Sequence, residues 1–562
     1  MLRNGRNDDR NYEQVYNEFR WQIPEHYNIG VDVCDKWASV DPNKLALIFV
    51  DADGVSREYN FGELRDESNR LANLLAAHGI GKGDRVGILL TQSPEAAFSH
   101  IAVPKLGAIA VPLFVLFGVD ALSHRLADSG ACAVITDAQG AAKLAEIRAV
   151  LSDLKLILSV GGGPGTIDFY PALESCGNTF EPVRTRAEDP AMIIYTSGTT
   201  GAPKGALHAH RVLLGHLPGV EMSHDFFPQP GDRIWTPADW AWIGGLLDVL
   251  LPALHHGVPV VARRFAKFTG EAAFDLIRDY DIRNAFIPPT ALKVMRSVPH
   301  AEDRWPLKMR TVASGGESLG TELLEWGRRT LGVTINEFYG QTECNMVVSS
   351  CGALMAPRPG VMGKAVPGHQ VEVIDAAGRP SSMGELGILG VRRGDPVMFL
   401  RYWNNPDETA VKFSGDWLLT GDTAVKEGDS WIRFVGRTDD MITSAGYRIG
   451  PSEIEDCLLR HPAVKLACAV GKPDPQRTQV VKIYVVLRDG YTASDKLATE
   501  IAAHVKTRLA AHEYPREVEF VSSLPMTATG KLIRRELRER AEEEARTEDS
   551  KLSGNRGNRN LA

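Results

Sequence analysis

Strand-like and helix-like stretches alternate along most of this chain, and that alternation restricts its fold more than any other feature. GDRVGILL at 83–90 is a short apolar run, PEAAFSHIAVPK follows with helical character, and GAIAVPL returns to strand. ALSHRLADSG, ACAVITD and KLILSV continue the pattern. After residue 206 it resumes with GDRIWTPADW, the apolar helix GGLLDVLLPALHHG closed by Gly257, then VPVVAR, AAFDLIRDYDIRNAFIPP, LKMRTVASGGESL, TELLEWGRRTLG and TINEFYGQTE. Strands separated by helices at this spacing build doubly wound α/β sheets. Earlier, KLALIFV and REYNFG flank DADG, which predicts a hairpin. Residues 1–30 are polar and aromatic and predict an arm lying on the surface.

The texture changes twice. Residues 371–435 carry VEVID, GELGILG, WLLTGD and WIRFVG between frequent turns, which predicts a small β-barrel-like subdomain. From Gly436 the chain becomes compact and mixed, through IEDCLLRHP, VKLACAVG and QVVKIYVVLRD. The expected division is an N-terminal domain at 1–436, a small α+β domain at 437–538 with a hinge near Asp439, and a disordered tail at 539–562. After Leu537, RERAEEEARTEDSKLSGNRGNRNLA holds almost nothing apolar and predicts a frayed helix that gives way to the tail. A length of 562 residues needs more than one core in any case.

One loop dominates the chemistry. Tyr195–Gly205 reads YTSGTTGAPKG and follows the apolar strand AMII. Its glycines let backbone N–H groups converge on one anion. Thr196, Ser197, Thr199 and Thr200 add hydroxyls around Gly198, and Lys204 adds a mobile positive charge. That set suits a polyphosphate. It is not a Walker A loop, whose G-x-x-x-x-G-K-[S/T] order is absent. GGESL and YGQTE are expected as loops at strand ends, where open α/β sheets bind ligands.

A net charge of -8 gives no reason to expect nucleic acid or an anionic membrane as partner. The seven cysteines include no CxxC pair and no zinc spacing, which points to a reducing compartment. No apolar run is long enough for a membrane span, and the polar start is no signal peptide, so a cytoplasmic enzyme is expected. His208, His210 and His216 are read as core, surface or pocket residues, with His216 a candidate to line a substrate site. His255 and His256 close a helix and are read as structural.

YTSGTTGAPKG, YGQTE, LLTGD, GRTDD and TATGKLIRR occur in that order from Tyr195 to Arg535. Together they resemble the adenylate-forming superfamily of acyl- and aryl-CoA synthetases, adenylation domains and luciferases. TPADWAWIGGLLDVLLPALHHG and SAGYRIGPSEIE make the chain look most like acyl-CoA synthetases of the acetyl and medium-chain type. The resemblance covers roughly residues 30–538. It implies two steps: a carboxylate attacks the α-phosphorus of MgATP to give acyl-AMP and pyrophosphate, then coenzyme A takes the acyl group and AMP leaves.

The resemblance also assigns residues. Thr196, Ser197, Gly198, Thr199, Thr200 and Lys204 would hold the β- and γ-phosphates, with Glu343 and Thr196 on Mg²⁺. Tyr339 and the backbone of Gly315, Gly316 and Glu317 would enclose the adenine, Gly340 and Gln341 would belong to the same ATP site, and Thr342 would donate to the α-phosphate. Asp422 and Arg437 would take the ribose, and Arg448 the phosphates. Lys531 would bridge the carboxylate and the α-phosphate. Trp240, Trp242, Gly245, Phe338 and Gly340 would line the acyl pocket. Rotation about Asp439 would then bring Ala445, Gly446 and Tyr447 to the cleft for coenzyme A. The acetate-specific branch has WWQTE in place of YGQTE, so Gly340 implies a deeper pocket and a short- to medium-chain carboxylate longer than acetate. An aryl- or amino-acid-activating enzyme, or one loading a separate carrier protein, is the alternative. Oligomeric state is not legible, and a homodimer is left open.

Overall fold

In the computed structural model, residues 2, 11–196, 203–317, 319–444, 447–474, 477–509, 513–527 and 532–557 are described, with backbone alone at 447–448 and 548–557. Two large sheets carry the first part of the chain. One is nine-stranded, in the order Lys364–Ala365, Cys344–Ser349, Ile335–Gln341, Thr311–Gly315, Asn284–Phe286, Ile234–Trp235, Val260–Arg263, Leu45–Val50 and Ser56–Asn60. From Ile335–Gln341 across to Leu45–Val50 its strands run parallel. Both edges turn antiparallel.

The other large sheet is eight-stranded: Arg401–Tyr402, Gly205–Ala209, Pro190–Tyr195, Ile109–Pro112, Arg85–Leu89, Ala133–Asp137, Leu156–Val160 and Ile167–Asp168. The helices Phe61–Ala77, Pro94–Lys105 and Val212–Ser223 share one core with strands of both sheets. Val212–Ser223 is apolar on nearly every side, as a helix enclosed on all faces must be. Phe61–Ala77 starts where the sequence marks it. The Asn60 side chain accepts from Glu63 N at 2.8 Å and Glu63 accepts from Asn60 N at 2.9 Å. The helix 243–256 stops at Gly257, whose φ of +67° only glycine adopts without strain.

The N-terminal arm is docked on the protein. Tyr12 and Tyr16 donate to the carbonyls of Ala365 and His369, at 2.7 and 2.9 Å. Residues 371–437 form a five-stranded antiparallel sheet, in which Trp417–Glu427 pairs with Leu386–Arg392 on one side and with Phe413–Ser414 and Trp431–Arg437 on the other.

The last sheet joins Tyr447–Ile449, Ile442–Ser444, Thr478–Leu487 and Val464–Asp474, with Glu517–Phe520 paired to Thr478–Leu487. Alternation along Thr478–Leu487 sends Val481, Ile483 and Val485 to one face, under Pro451–Leu459 and Asp495–Arg508. Tyr484 and Val486 face the other side and meet the final helix, Arg534–Gly557.

That helix takes the place of most of the tail expected at 539–562, extending well past the frayed start read from the sequence. It runs through residue 557, with Leu537 and Ala541 buried one turn apart against Cys468, Val470 and Tyr484. Lys482 pairs with Glu544 and lies 2.8 Å from Glu519. A few small apolar contacts and these ion pairs hold a segment whose composition alone reads as unstructured. Residues 558–562 lie outside the described set.

At the start of that helix Arg534 pairs with Glu455, which also accepts from Ala469 N at 2.8 Å. Burial raises the Glu455 carboxyl above its usual range and the guanidinium opposes the rise. Arg534→Ala leaves this carboxylate buried without its cation. The expected loss is about 3 kcal/mol, the lower end for a broken buried pair, read as a lower urea midpoint. Adding Glu455→Gln should restore part of it. An unchanged midpoint would show the pair to be dispensable.

Candidate active site

Strands Pro190–Tyr195 and Gly205–Ala209 are antiparallel neighbours, with Tyr195 opposite Gly205. The Gly/Thr-rich loop is therefore a hairpin connection between adjacent strands, and not a strand-to-helix turn. Thr196 N donates to Lys204 O at 2.9 Å and closes its base. Ser197, Gly198, Thr199 and Thr200 lie outside the described residues.

YGQTE differs from the expected loop. The strand continues through Gln341, which pairs with Cys344, so only Thr342 and Glu343 make the turn. Aromatic and polar residues that periodicity assigns to a loop are carried here by an edge hairpin of the nine-stranded sheet.

Strand pairing brings the two hairpins together. Arg401–Tyr402 adds to the edge at Gly205–Ala209, with Tyr402 opposite Ala206. The Tyr402 hydroxyl donates to Glu343 Oε1, and Phe399 N donates to Glu343 O at 2.8 Å. Burial, then the Glu343 charge, raise the Tyr402 phenol well above its ordinary value, so it stays a donor. Lys204 pairs with Glu408, and its ammonium lies 5.5 Å from the Tyr402 ring centre. Lys412 Nζ donates to Gln341 Oε1 at 3.2 Å and lies 3.9 Å from Glu343.

The same hairpin reaches LLTGD. Tyr339 donates its hydroxyl to Asp422 Oδ2, and Gln341 Nε2 donates to Thr420 O at 3.0 Å. Asp422 sits opposite Arg437 across two antiparallel strands, with Arg437 Nε 3.9 Å from Oδ1. That Nε is buried and has no hydrogen-bond partner among the described residues. Burial pushes the Asp422 carboxyl upward, against Arg437 and the Tyr339 hydroxyl. Gly421 permits the bend beside it, with φ of +78°.

Gly315 ends a strand beside Phe338, and a Cβ on it would lie 2.8 Å from that ring. Gly316 follows with φ of +95°. Glu317 accepts from Thr290 Oγ1 at 3.1 Å. Thr196, Lys204, Tyr339, Gln341, Glu343, Asp422 and Arg437 thus belong to two hairpins and the sheet between them.

Other expected residues fall elsewhere. Trp242 packs on Phe114 and Phe117 with ring centres 5.4 and 5.9 Å apart. Trp240 lies in the core, and Gly245 abuts the Asp239 backbone, where a Cβ would lie 2.3 Å from its carbonyl oxygen. Tyr447 and Arg448 occupy the short strand Tyr447–Ile449, but their side chains are outside the described residues. Ala445, Gly446 and Lys531 are outside them too. Gly340 offers no open depth: a Cβ would lie 2.2 Å from Asn345 Oδ1 and 2.4 Å from Met346 N. The Cβ side of Gly340 is thus taken by its own strand partner, Asn345.

Tyr402, Glu408 and Lys412 were missed. They belong to a run with no glycine or phosphate-loop pattern, and only strand pairing places them. Burial lowers His208, His210 and His216 to about 3, 4 and 4, so all three rings are neutral at pH 7. His255 is structural as expected, with Nδ1 2.5 Å from Asp32. Among the described residues, no three His, Cys, Asp or Glu side chains converge as a metal centre, and no helix is long and apolar enough to cross a membrane. Every cysteine is a free thiol.

Two hairpins bring Glu343 and Lys204 near an Asp–Arg–Tyr cluster, and comparison with known families identifies the class of protein. The chain belongs to the AMP-binding enzymes: residues 34–403 match the family model "AMP-binding enzyme", and 453–531 match its C-terminal domain model. It is an ATP-dependent, adenylate-forming ligase of the acid–thiol class, related to the acetyl and medium-chain acyl-CoA synthetases. It is 33% identical to the acetyl-coenzyme A synthetase of Bacillus subtilis, over 94% of this chain and 95% of that one. It is 34% identical to the human mitochondrial acyl-coenzyme A synthetase ACSM2B, over 92% of each. Among solved structures, an anthranilate CoA ligase in complex with anthranoyl-AMP matches with a TM-score of 0.84 at 30% identity, over 93% of this chain and 99% of that one.

Proposed function

We propose that the protein is an AMP-forming acyl-CoA synthetase that activates a short- to medium-chain or related carboxylate as acyl-AMP and passes it to coenzyme A. The observation that carries this reading is the chain of contacts from Lys204 through Tyr402 to Glu343, then through Lys412 and Gln341 to Tyr339, Asp422 and Arg437. Cation and hydroxyls for phosphate stand at one end, and a carboxylate for two ribose hydroxyls stands at the other. Asp422 takes the ribose with Arg437 beside it, Tyr339 flanks the adenine, and Lys204 and Thr196 hold phosphate oxygens.

Glu343 and Thr196 offer the oxygen donors that Mg²⁺ prefers, and one carboxylate plus substrate phosphates is a usual set for it. Mg²⁺ when bound offsets charge on the phosphate oxygens. Lys531 brings the positive charge that favours attack of the carboxylate on the α-phosphorus. We assign 1–436 to the body of the enzyme and 437–538 with its following helix to a lid turning about Asp439, which exchanges Lys531 for the segment Ala445–Tyr447 before the thiol step.

ATP–pyrophosphate exchange with Mg²⁺ across a panel of alkanoic and aromatic acids tests the first half. Exchange with at least one acid in the absence of thiol is expected, and none across the panel sinks the reading. AMP and a thioester should then appear only when coenzyme A is added. Exchange that proceeds while coenzyme A yields no thioester would limit the function to acid activation.

A further inference from the structure

The cation that the reaction needs for phosphate has an acidic partner within the protein. Among the described residues, the Lys204 ammonium pairs with the Glu408 carboxylate. The centre of the Tyr402 ring lies 5.5 Å from the same ammonium. Tyr402 takes no share of the charge as an anion, because its hydroxyl stays protonated and donates to Glu343. The positive charge of Lys204 is therefore offset by Glu408, a side chain to which neither step of the reaction gives a role.

The backbone that carries Glu408 is fixed to the phosphate hairpin. Glu408 lies in the first turn of the short helix Pro406–Val411, where Asn405 Oδ1 accepts from Glu408 N at 3.2 Å. Thr409 Oγ1 donates to Asn405 O at 2.7 Å and accepts from Tyr402 N at 2.9 Å. Trp403 N donates to the carbonyl of Gly205, the residue after Lys204, at 2.7 Å. The carboxylate is thus held beside Lys204 by ties that do not involve the ion pair. The pair itself can open. The Lys204 side chain is 21% exposed and that of Glu408 45%, so neither charge would be trapped away from water when the two part. The flexible four-carbon stem of lysine lets its ammonium turn from one anion to another.

We propose that Glu408 is a positioning residue that competes with phosphate for Lys204, and so loosens the hold of the enzyme on the terminal phosphates of ATP and on the pyrophosphate left by the first step. A phosphate that draws on Lys204 must either displace the carboxylate or stand beside it. The first breaks an ion pair, and the second sets two anions close together. As pyrophosphate departs, Glu408 takes the ammonium back, so that release leaves no unpaired cation behind. The pair is partly exposed, which limits the effect to about fivefold in affinity. This inference rests on the place given to Lys204 in the acid-activating reading above.

The test is calorimetric titration of the full chain with MgATP and with magnesium pyrophosphate, neither of which needs an acid, alongside ATP–pyrophosphate exchange. Glu408→Gln removes the charge and keeps the shape. It is expected to bind both ligands about fivefold more tightly and to lower the KM for ATP by a similar factor. Glu408→Asp keeps the charge and should stay nearer to wild type than Glu408→Gln in all three measurements. Weaker binding in Glu408→Gln would mean that the carboxylate only steadies Lys204 in a phosphate-holding pose, and that result overturns the proposal. Unchanged binding of both ligands overturns it as well. If exchange proceeds with some acid while Glu408→Gln binds no more tightly, the competition falls and acid activation stands. If Glu408→Gln binds more tightly while no acid supports exchange, the competition stands and acid activation falls. If the wild-type protein binds neither ligand, both fall.

Discussion

Replacing Lys531 by alanine lowers acyl-adenylate formation by about a hundredfold or more, a loss of about 3 kcal/mol of transition-state stabilisation. Thioester formation from supplied acyl-adenylate stays close to wild type. The basis is charge. Attack of a carboxylate on the α-phosphorus gathers negative charge on both partners, and a preorganised ammonium offsets it where it peaks. In the second step the phosphate leaves with a charge it already carries, so the same cation matters little. The described residues on either side pair with each other: Met526 bridges to Leu532, and Ile533 N donates to Pro525 O at 2.9 Å. ATP–pyrophosphate exchange and single-turnover thioester formation measure the two halves separately. An equal fall in both would assign Lys531 to general binding or folding.

Asp439→Pro has the opposite profile. Acyl-adenylate formation is expected within about threefold of wild type, while thioester formation falls by about tenfold or more, because proline fixes φ near −65° and removes freedom from the turn that must rotate. Asp439 lies in the turn Thr438–Asp440, directly after the strand that ends at Arg437. Its carbonyl accepts from Arg538 Nη1 at 2.6 Å, and the Asp440 carboxylate lies 3.2 Å from the same nitrogen. Rotation about this turn must release or carry those contacts. Matching rates for mutant and wild type in the thiol step would remove Asp439 from any hinge role.

The elements were legible where local chemistry decides them. Asn60 and Glu63 announce a helix start, Gly257 a helix end, and DADG a hairpin, and each is a short-range signal. The hairpin of Ile335–Gln341 with Cys344–Ser349 was not legible, because YGQTE contains the glycine and polar residues of a loop while the pairing that makes it a strand lies in its partner. Tyr402, Glu408 and Lys412 were invisible for a related reason: they approach Lys204 and Glu343 only because Arg401–Tyr402 joins the edge of a strand nearly two hundred residues earlier in the chain. Gly340 shows the reverse case: a missing side chain reads as space, and here the Asn345 side chain lies where a Cβ would stand.

The final helix bears on how the chain can be shortened. Ala541 and Glu544 cover one face of the last sheet, and both stand beyond the point where sequence composition invites a cut. A version ending near residue 538 would bare Tyr484 and Val470 to water and strand the ammonium of Lys482 without one of its carboxylates. Such a fragment would self-associate through that uncovered patch, and its weak catalysis would then report poor solubility and not a missing chemical group.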